Sequence, residues 1–198
     1  MLGWEYPPYI SGGLGIATQG LANALGQYAD IELILPDFEV SDINIIRQKV
    51  EAEISVVSAY NPYQPNRKKL RITKKVTEKV AALRQVAQTP KSAKLYGNAL
   101  MNKVDIYTKK AVEKAQSACF DIIHAHDWMT FPAAMQIQKA SGKPLVIHVH
   151  SLETDRSGNP DTKNPIFKIE QEAIAQADLV VPVSEYTQEM IEKQYTSC

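Results

Sequence analysis

The sequence predicts an α/β fold, a parallel sheet with helices on both faces, and three observations predict it. Short apolar runs alternate along the chain with segments of helical periodicity. The runs are nearly continuous in aliphatic and β-branched residues, as strands buried on both faces require. The intervals between them are long enough for the right-handed crossovers that parallel pairing demands. With 198 residues, 44% of them hydrophobic, the chain can bury a real core, so residues 1–198 are expected to form one domain.

Taken in order, Met1-Leu2 reads as the remnant of a first strand, and Ser11-Gly12-Gly13-Leu14-Gly15 opens a helix with Leu14, Ala17, Leu21 and Ala24 on one face. Residues 31–36 and 53–57 are the next strands, followed by a helical face of Val76, Val80, Leu83 and Ala87. A longer helix carries Leu100, Val104, Tyr107, Ala111 and Ala118 on its inner side and places Cys119 at a buried helix end. Residues 121–126, 145–150 and 179–184 complete five inner strands. Asn164-Pro165 supplies an N-cap and a first-turn proline to a helix facing inward through Ile166, Ile169, Ala173 and Ala177, and a last helix runs from Tyr186 to Tyr195. Only two residues precede Gly3, and nothing follows the last helix to pack on it. The expectation is a fragment of a longer polypeptide.

Charge and cysteine content narrow the function classes. Lys+Arg and Asp+Glu both number 22, so no global field recruits nucleic acid or an anionic membrane, and a small-molecule substrate fits better. The basic run from Arg67 to Lys79 reads either as a solvated helix face or as a docking site for a glucan phosphate or an acidic partner. Two cysteines outside any ligand-like spacing, with no signal peptide and no membrane-length apolar run, predict a cytoplasmic protein without an integral membrane segment.

Three clusters fall at the carboxyl ends of strands, where open α/β sheets bind ligands. At Gly12 and Gly13 a glycine loop feeds a helix start, whose unpaired N–H groups and positive dipole end suit phosphate; the competing reading is a tight turn that needs glycine for its backbone alone. The dinucleotide fingerprint fails, because Thr18 stands where Gly or Ala is required, so no nicotinamide or other cofactor is expected. In His124-Ala125-His126-Asp127-Trp128, a carboxylate and an aromatic plane suit sugar hydroxyls and sugar faces; alternatively His126 or Asp127 caps the next helix while Trp128 fills core. The third cluster is His148-Val149-His150-Ser151-Leu152-Glu153-Thr154-Asp155-Arg156. Its His-x-His pair beside that of residues 124–126 has the makings of a metal-dependent hydrolase, yet neighbouring parallel strands bring such pairs together without a metal, and none is expected.

The ordered set Glu5-Tyr6-Pro7-Pro8 with Gly12-Gly13-Leu14-Gly15, residues 120–128 (FDIIHAHDW), His148-Val149-His150-Ser151, and residues 177–184 (ADLVVPVS) resembles the N-terminal half of a glycogen-synthase-like, group 1 retaining glycosyltransferase. The resemblance covers nearly the whole chain. It implies the GT-B architecture, two Rossmann-like domains across a cleft, with this chain as the acceptor-side half and the donor-binding C-terminal domain as its missing partner. It further implies transfer of a sugar from a nucleotide-sugar donor to a carbohydrate or other hydroxyl acceptor with retention, in glucan or other polysaccharide synthesis, and no activity for this half alone. On the same basis His150 and Asp127 are the candidate catalytic residues, and Gly12, Gly13, Trp128, Glu153 and Arg156 the candidate substrate-binding residues. Where glycogen synthases carry Lys-Thr-Gly-Gly, this chain has Ile10-Ser11-Gly12-Gly13. A non-catalytic nucleotide- or sugar-binding module is the other alternative.

Overall fold

A computed structural model describes residues 1–7, 12–37, 42–48, 98–158 and 161–195. The strand expected at 53–57, the helical face at 76–87, the basic run at 67–79 and Cys198 lie outside the described residues. The elements are α1 (Gly13–Leu25), β1 (Ile31–Asp37), β2 (Asp42–Gln48), α2 (Asn98–Gln116), β3 (Ile123–His126), α3 (Phe131–Ser141), β4 (Leu145–Val149), α4 (Glu153–Ser157), α5 (Pro165–Gln176), β5 (Leu179–Pro182) and α6 (Glu185–Gln194).

The sheet runs β2-β1, then the Leu2 segment, then β3-β4-β5. Leu2 is the seam. Its amide donates to the His124 carbonyl at 2.7 Å and its carbonyl accepts from the His126 amide at 3.1 Å, while the Gly3 amide donates to Ile34 and the Ile34 amide to Met1 on the other side. The expected first-strand remnant is therefore a parallel bridge between β1 and β3. Gly3 packs tightly, since a Cβ there would lie 3.0 Å from Leu35 Cδ2 and 3.1 Å from Leu33 Cδ1, and those side chains would have to shift.

β3, β4 and β5 pair in parallel as expected, with His126 level with His148. β2, which sequence reasoning missed, pairs with β1 in antiparallel register from Ile31 opposite Gln48 to Asp37 opposite Asp42. A short connection suffices for that pairing, whereas parallel strands need the long crossovers that mark the rest of the sheet. β5 differs from an inner strand: Leu179 is 55% exposed and β4 is its only strand neighbour among the described residues.

Helices cover both faces, as β1 makes plain. Ile31, Leu33 and Leu35 point to a cluster with Ala22 of α1, whereas Ile34 points to the larger core with Val104 and Tyr107 of α2. The Tyr107 hydroxyl donates to the Ile34 carbonyl at 3.2 Å, and its ring meets Trp4 edge-on at 5.5 Å. The buried side of α2 is the expected one at Leu100, Val104, Tyr107 and Ala111.

α1 is turned from the expected orientation. It buries Gly15, Thr18 and Ala22, leaving Ala17 and Ala24 exposed. Small residues let this helix lie close to the sheet beside Gly3, and the Thr18 hydroxyl is spent on the Leu14 carbonyl at 2.9 Å, leaving its methyl to pack. Counting only apolar residues overlooked that stripe. Cys119 is exposed instead of buried, because α2 ends at Gln116 and the following turn faces solvent.

Of the helix caps, the one at Asn164 is as expected. Asn164 Oδ1 accepts the Ile166 amide at 2.9 Å, and Ser184, expected in a strand, instead caps α6 through the Thr187 amide at 3.1 Å. Gly142 closes α3 at φ 67°, the left-handed geometry that glycine takes without steric penalty.

Candidate functional site

The carboxyl tips of β3 and β4 hold the chemistry. Immediately after β3 the chain turns at Asp127, whose φ of 60° is the only positive value of a non-glycine among the described residues. A short polar side chain tolerates this conformation better than most. The turn is locked from within, since Thr130 Oγ1 donates to the carbonyls of His126 at 2.9 Å and Asp127 at 3.0 Å. The Asp127 side chain, 5% exposed, is thereby aimed at the turn after β4, where Oδ1 accepts the His150 amide at 2.7 Å and the Ser151 amide at 3.4 Å. Burial pushes its carboxyl up to about 7, against the pull of those amides and of Arg156.

Four imidazoles line the face of β3 and β4 opposite Ile123, Ala125, Leu145, Ile147 and Val149. His124 stacks on His126 at 4.6 Å between ring centres, His148 on His150 at 4.3 Å, and His126 faces His148 at 5.3 Å. His126 Nδ1 and His150 Nε2 share a hydrogen bond of 3.1 Å. Burial, reinforced by the neighbouring rings, lowers His124 and His150 to about 4 and holds His126 well below its ordinary value, so the stack is neutral at pH 7.

One ring nitrogen each from His124, His126 and His148 lies within 4.8 Å of the others, and His124 Nε2, His126 Nε2 and His148 Nδ1 are buried without a hydrogen-bond partner. Ligand chemistry alone would suit a transition metal. The geometry argues against it, because the three planes lie within 24° of parallel, whereas lone pairs in the ring planes must converge on one point. The rings would have to rotate to bind an ion, and the arrangement as it stands is an imidazole stack.

Behind His150, residues from three helices close on one another. Arg156 donates to Ser151 Oγ at 2.7 Å, Glu153 Oε2 at 3.2 Å and Glu170 Oε1 at 2.7 Å. Asn164 Nδ2 donates to Glu153 Oε1 at 2.9 Å. The Tyr195 hydroxyl donates to Glu170 Oε2 at 2.6 Å, and burial pushes both Glu170 and Tyr195 upward.

Of the residues singled out from sequence, Asp127 and His150 meet, with Glu153 and Arg156 next to them in the ion network. Trp128 instead turns into the core at 2% exposure. Gly12 and Gly13 are exposed at the start of α1, with Gly12 extended at φ −152° and no side-chain cap on the helix; a Cβ at either would meet nothing within 4 Å. Neither Gly12 nor Gly13 is therefore held to glycine by a steric contact. Glu170 and Tyr195 were missed, although a carboxylate four residues after Ile166 on an inward helix face was a legible signal of a buried pair.

The family model described as the starch synthase catalytic domain matches residues 1–198. The chain is 25% identical over 200 residues to an uncharacterized glycosyltransferase of Methanocaldococcus jannaschii, covering 96% of this chain and 41% of that protein. It is 49% identical over 37 residues to an uncharacterized glycosyltransferase of Bacillus subtilis, 19% of this chain and 10% of that protein. The chain spans less than half the length of these curated relatives. An α/β fold with a parallel sheet layered by helices agrees with a family match along the whole chain: the chain belongs to the starch synthase catalytic domain family and has a Rossmann-like fold.

Proposed function

We propose that this chain is the acceptor-side half of a retaining glycosyltransferase that moves a hexosyl group from a nucleotide-sugar donor to a carbohydrate or other hydroxyl acceptor, within the cytoplasm. The observation that carries the reading is the bond from the His150 amide to Asp127 Oδ1, which ties the tips of β3 and β4 into one polar surface. Its support from chemistry is electrostatic. As the bond to the diphosphate breaks, positive charge grows on the sugar and negative charge on the leaving group, and preorganised dipoles lower that barrier.

The α1 start supplies such a field in this reading. Its amides lack a side-chain cap, and Gly12 and Gly13 leave room for a diphosphate to approach the backbone. His150 faces the transferring sugar, Asp127 holds the His150 backbone from beneath, Glu153 and Arg156 hold the surrounding turn, and Trp128 packs in the core beside Asp127. The remaining groups that neutralise the diphosphate belong to a C-terminal domain across the cleft. Residues 1–198 alone therefore bind donor weakly and turn nothing over.

The deciding experiment offers UDP-, ADP- and GDP-sugars to the full-length protein and determines the anomeric configuration of the product. A retained anomer supports the proposal. Inversion, hydrolysis without transfer, or turnover by the isolated 198 residues would overturn it.

A further inference from the structure

Glu170 is 1% exposed on the inward side of α5, where an amphipathic helix places apolar residues. A buried carboxylate is costly unless its oxygens are saturated by donors, and here they are. The Glu153 amide reaches both oxygens at 3.0 and 2.9 Å, Arg156 Nη2 reaches one at 2.7 Å and the Tyr195 hydroxyl the other at 2.6 Å. A purely packing role at this position needs only a Leu or Met.

The donors say what the carboxylate holds. Glu153 opens α4 directly after the turn that carries His150, and Arg156, one helical turn further, reaches back to Ser151 Oγ. From the opposite side Asp127 grips the amides of His150 and Ser151. Residues 150–153 are thus clamped between the tip of β3 and the interior of α5.

We infer that Glu170 is a positioning residue, which through Arg156 and the Glu153 amide fixes the turn of residues 150–153 so that the His150 imidazole is presented to the transferring sugar. The inference rests on the glycosyltransferase reading above. Glu170 touches no substrate; it removes freedom from the turn before substrate arrives, which is how supporting residues around a reacting centre contribute to rate. Glutamine at this position keeps the shape but loses the charge that pairs with Arg156 and turns an amide toward the incoming donors.

The test compares Glu170→Gln and Arg156→Lys with Ile174→Val, a control that thins the core from the same helix. The His150 ring is titrated by NMR in the 198-residue protein, and kcat and KM are measured in the full-length protein with whichever of the UDP-, ADP- and GDP-linked hexoses it turns over. In wild type the ring, lowered by burial, is expected to titrate at about 4. Glu170→Gln is expected to raise it by a unit or more, and to lower kcat at least tenfold with less than a threefold change in KM, while Ile174→Val moves neither. Arg156→Lys, which cannot span Ser151, Glu153 and Glu170 together, gives the same direction and serves if the glutamine variant does not fold. Unchanged titration and kcat in a folded Glu170→Gln protein overturns the inference, leaving a stability role only. A shifted titration in the 198-residue protein, beside a full-length protein that turns over none of the UDP-, ADP- or GDP-linked hexoses, supports the clamp and rejects the glycosyltransferase reading.

Discussion

Replacing Asp127 tests the turn on which the site depends, and a graded series separates its causes. At pH 6, below the raised value of about 7, the side chain is mainly neutral and accepts the His150 amide at 2.7 Å, with the 3.4 Å contact to Ser151 contributing little. Alanine leaves the His150 amide without its acceptor, costing about 1–3 kcal/mol. It also puts a Cβ without compensating polar atoms at φ 60°, which adds about 1 kcal/mol. Asp127→Ala is therefore expected to destabilise by about 2–4 kcal/mol, and Asp127→Gly by about 1 kcal/mol less, because glycine relieves the backbone term. Asparagine keeps both the oxygen and the tolerance of this conformation, so Asp127→Asn should lie within about 1 kcal/mol of wild type. Urea unfolding at pH 6, with the slopes checked for equality, measures all three. Alanine and asparagine variants of equal stability, or a glycine variant weaker than alanine, would refute the reasoning.

The same series carries a pH signature: the Asp127 carboxyl is raised from 3.8 to about 7, so the folded state binds the extra proton, and wild-type stability relative to Asp127→Asn falls as pH rises from about 4 through about 7. Parallel urea titrations of both proteins from pH 5 to 8 should show asparagine gaining up to about pH 7 and levelling off above it, and a flat difference would contradict the burial of this group. The histidines act in the opposite sense, since His124 and His150 are lowered from 6.5 to about 4: the unfolded chain takes up the protons first, and stability is lost as pH falls from 6.5 toward 4. Measured in the Asp127→Asn background, that loss should approach ~3 kcal/mol per ring before coupling and solvent screening reduce it, and His124→Asn should flatten the slope. Gly12→Ala and Gly13→Ala should change stability by less than ~0.5 kcal/mol, because neither Cβ meets a neighbour, yet weaken binding of UDP by the full-length protein at least tenfold if diphosphate lies on this backbone. Tyr195→Phe, which removes the 2.6 Å bond to Glu170, should cost about 1.5–3 kcal/mol in urea unfolding.

Much of the architecture was legible because it is local. The apolar runs at β1, β3 and β4, the inner side of α2 and the Asn164 cap depend on residues a few positions apart, and periodicity reports them directly. The α1 orientation was not, since a helix that must approach Gly3 closely buries Gly15, Thr18 and Ala22, and only the neighbouring element makes small size matter. Within the site, Asp127 and His150 could be named from their strand-end positions. That Trp128 would turn inward, and that Glu153 and Arg156 would be engaged with Glu170 and Tyr195, depends on residues up to 42 positions further along the chain.

By itself, then, the sequence determined β1, β3, β4 and the inner side of α2, the strand-end placement of the His and Asp residues and the family resemblance, because these are encoded in spacing along the chain. Tertiary structure alone decided that Leu2 would join β1 to β3, that four imidazoles would stack neutral, and that one carboxylate on α5 would hold the turn after β4. Such contacts answer a condition that no local pattern states: each buried polar group must find its partner wherever the fold happens to bring one.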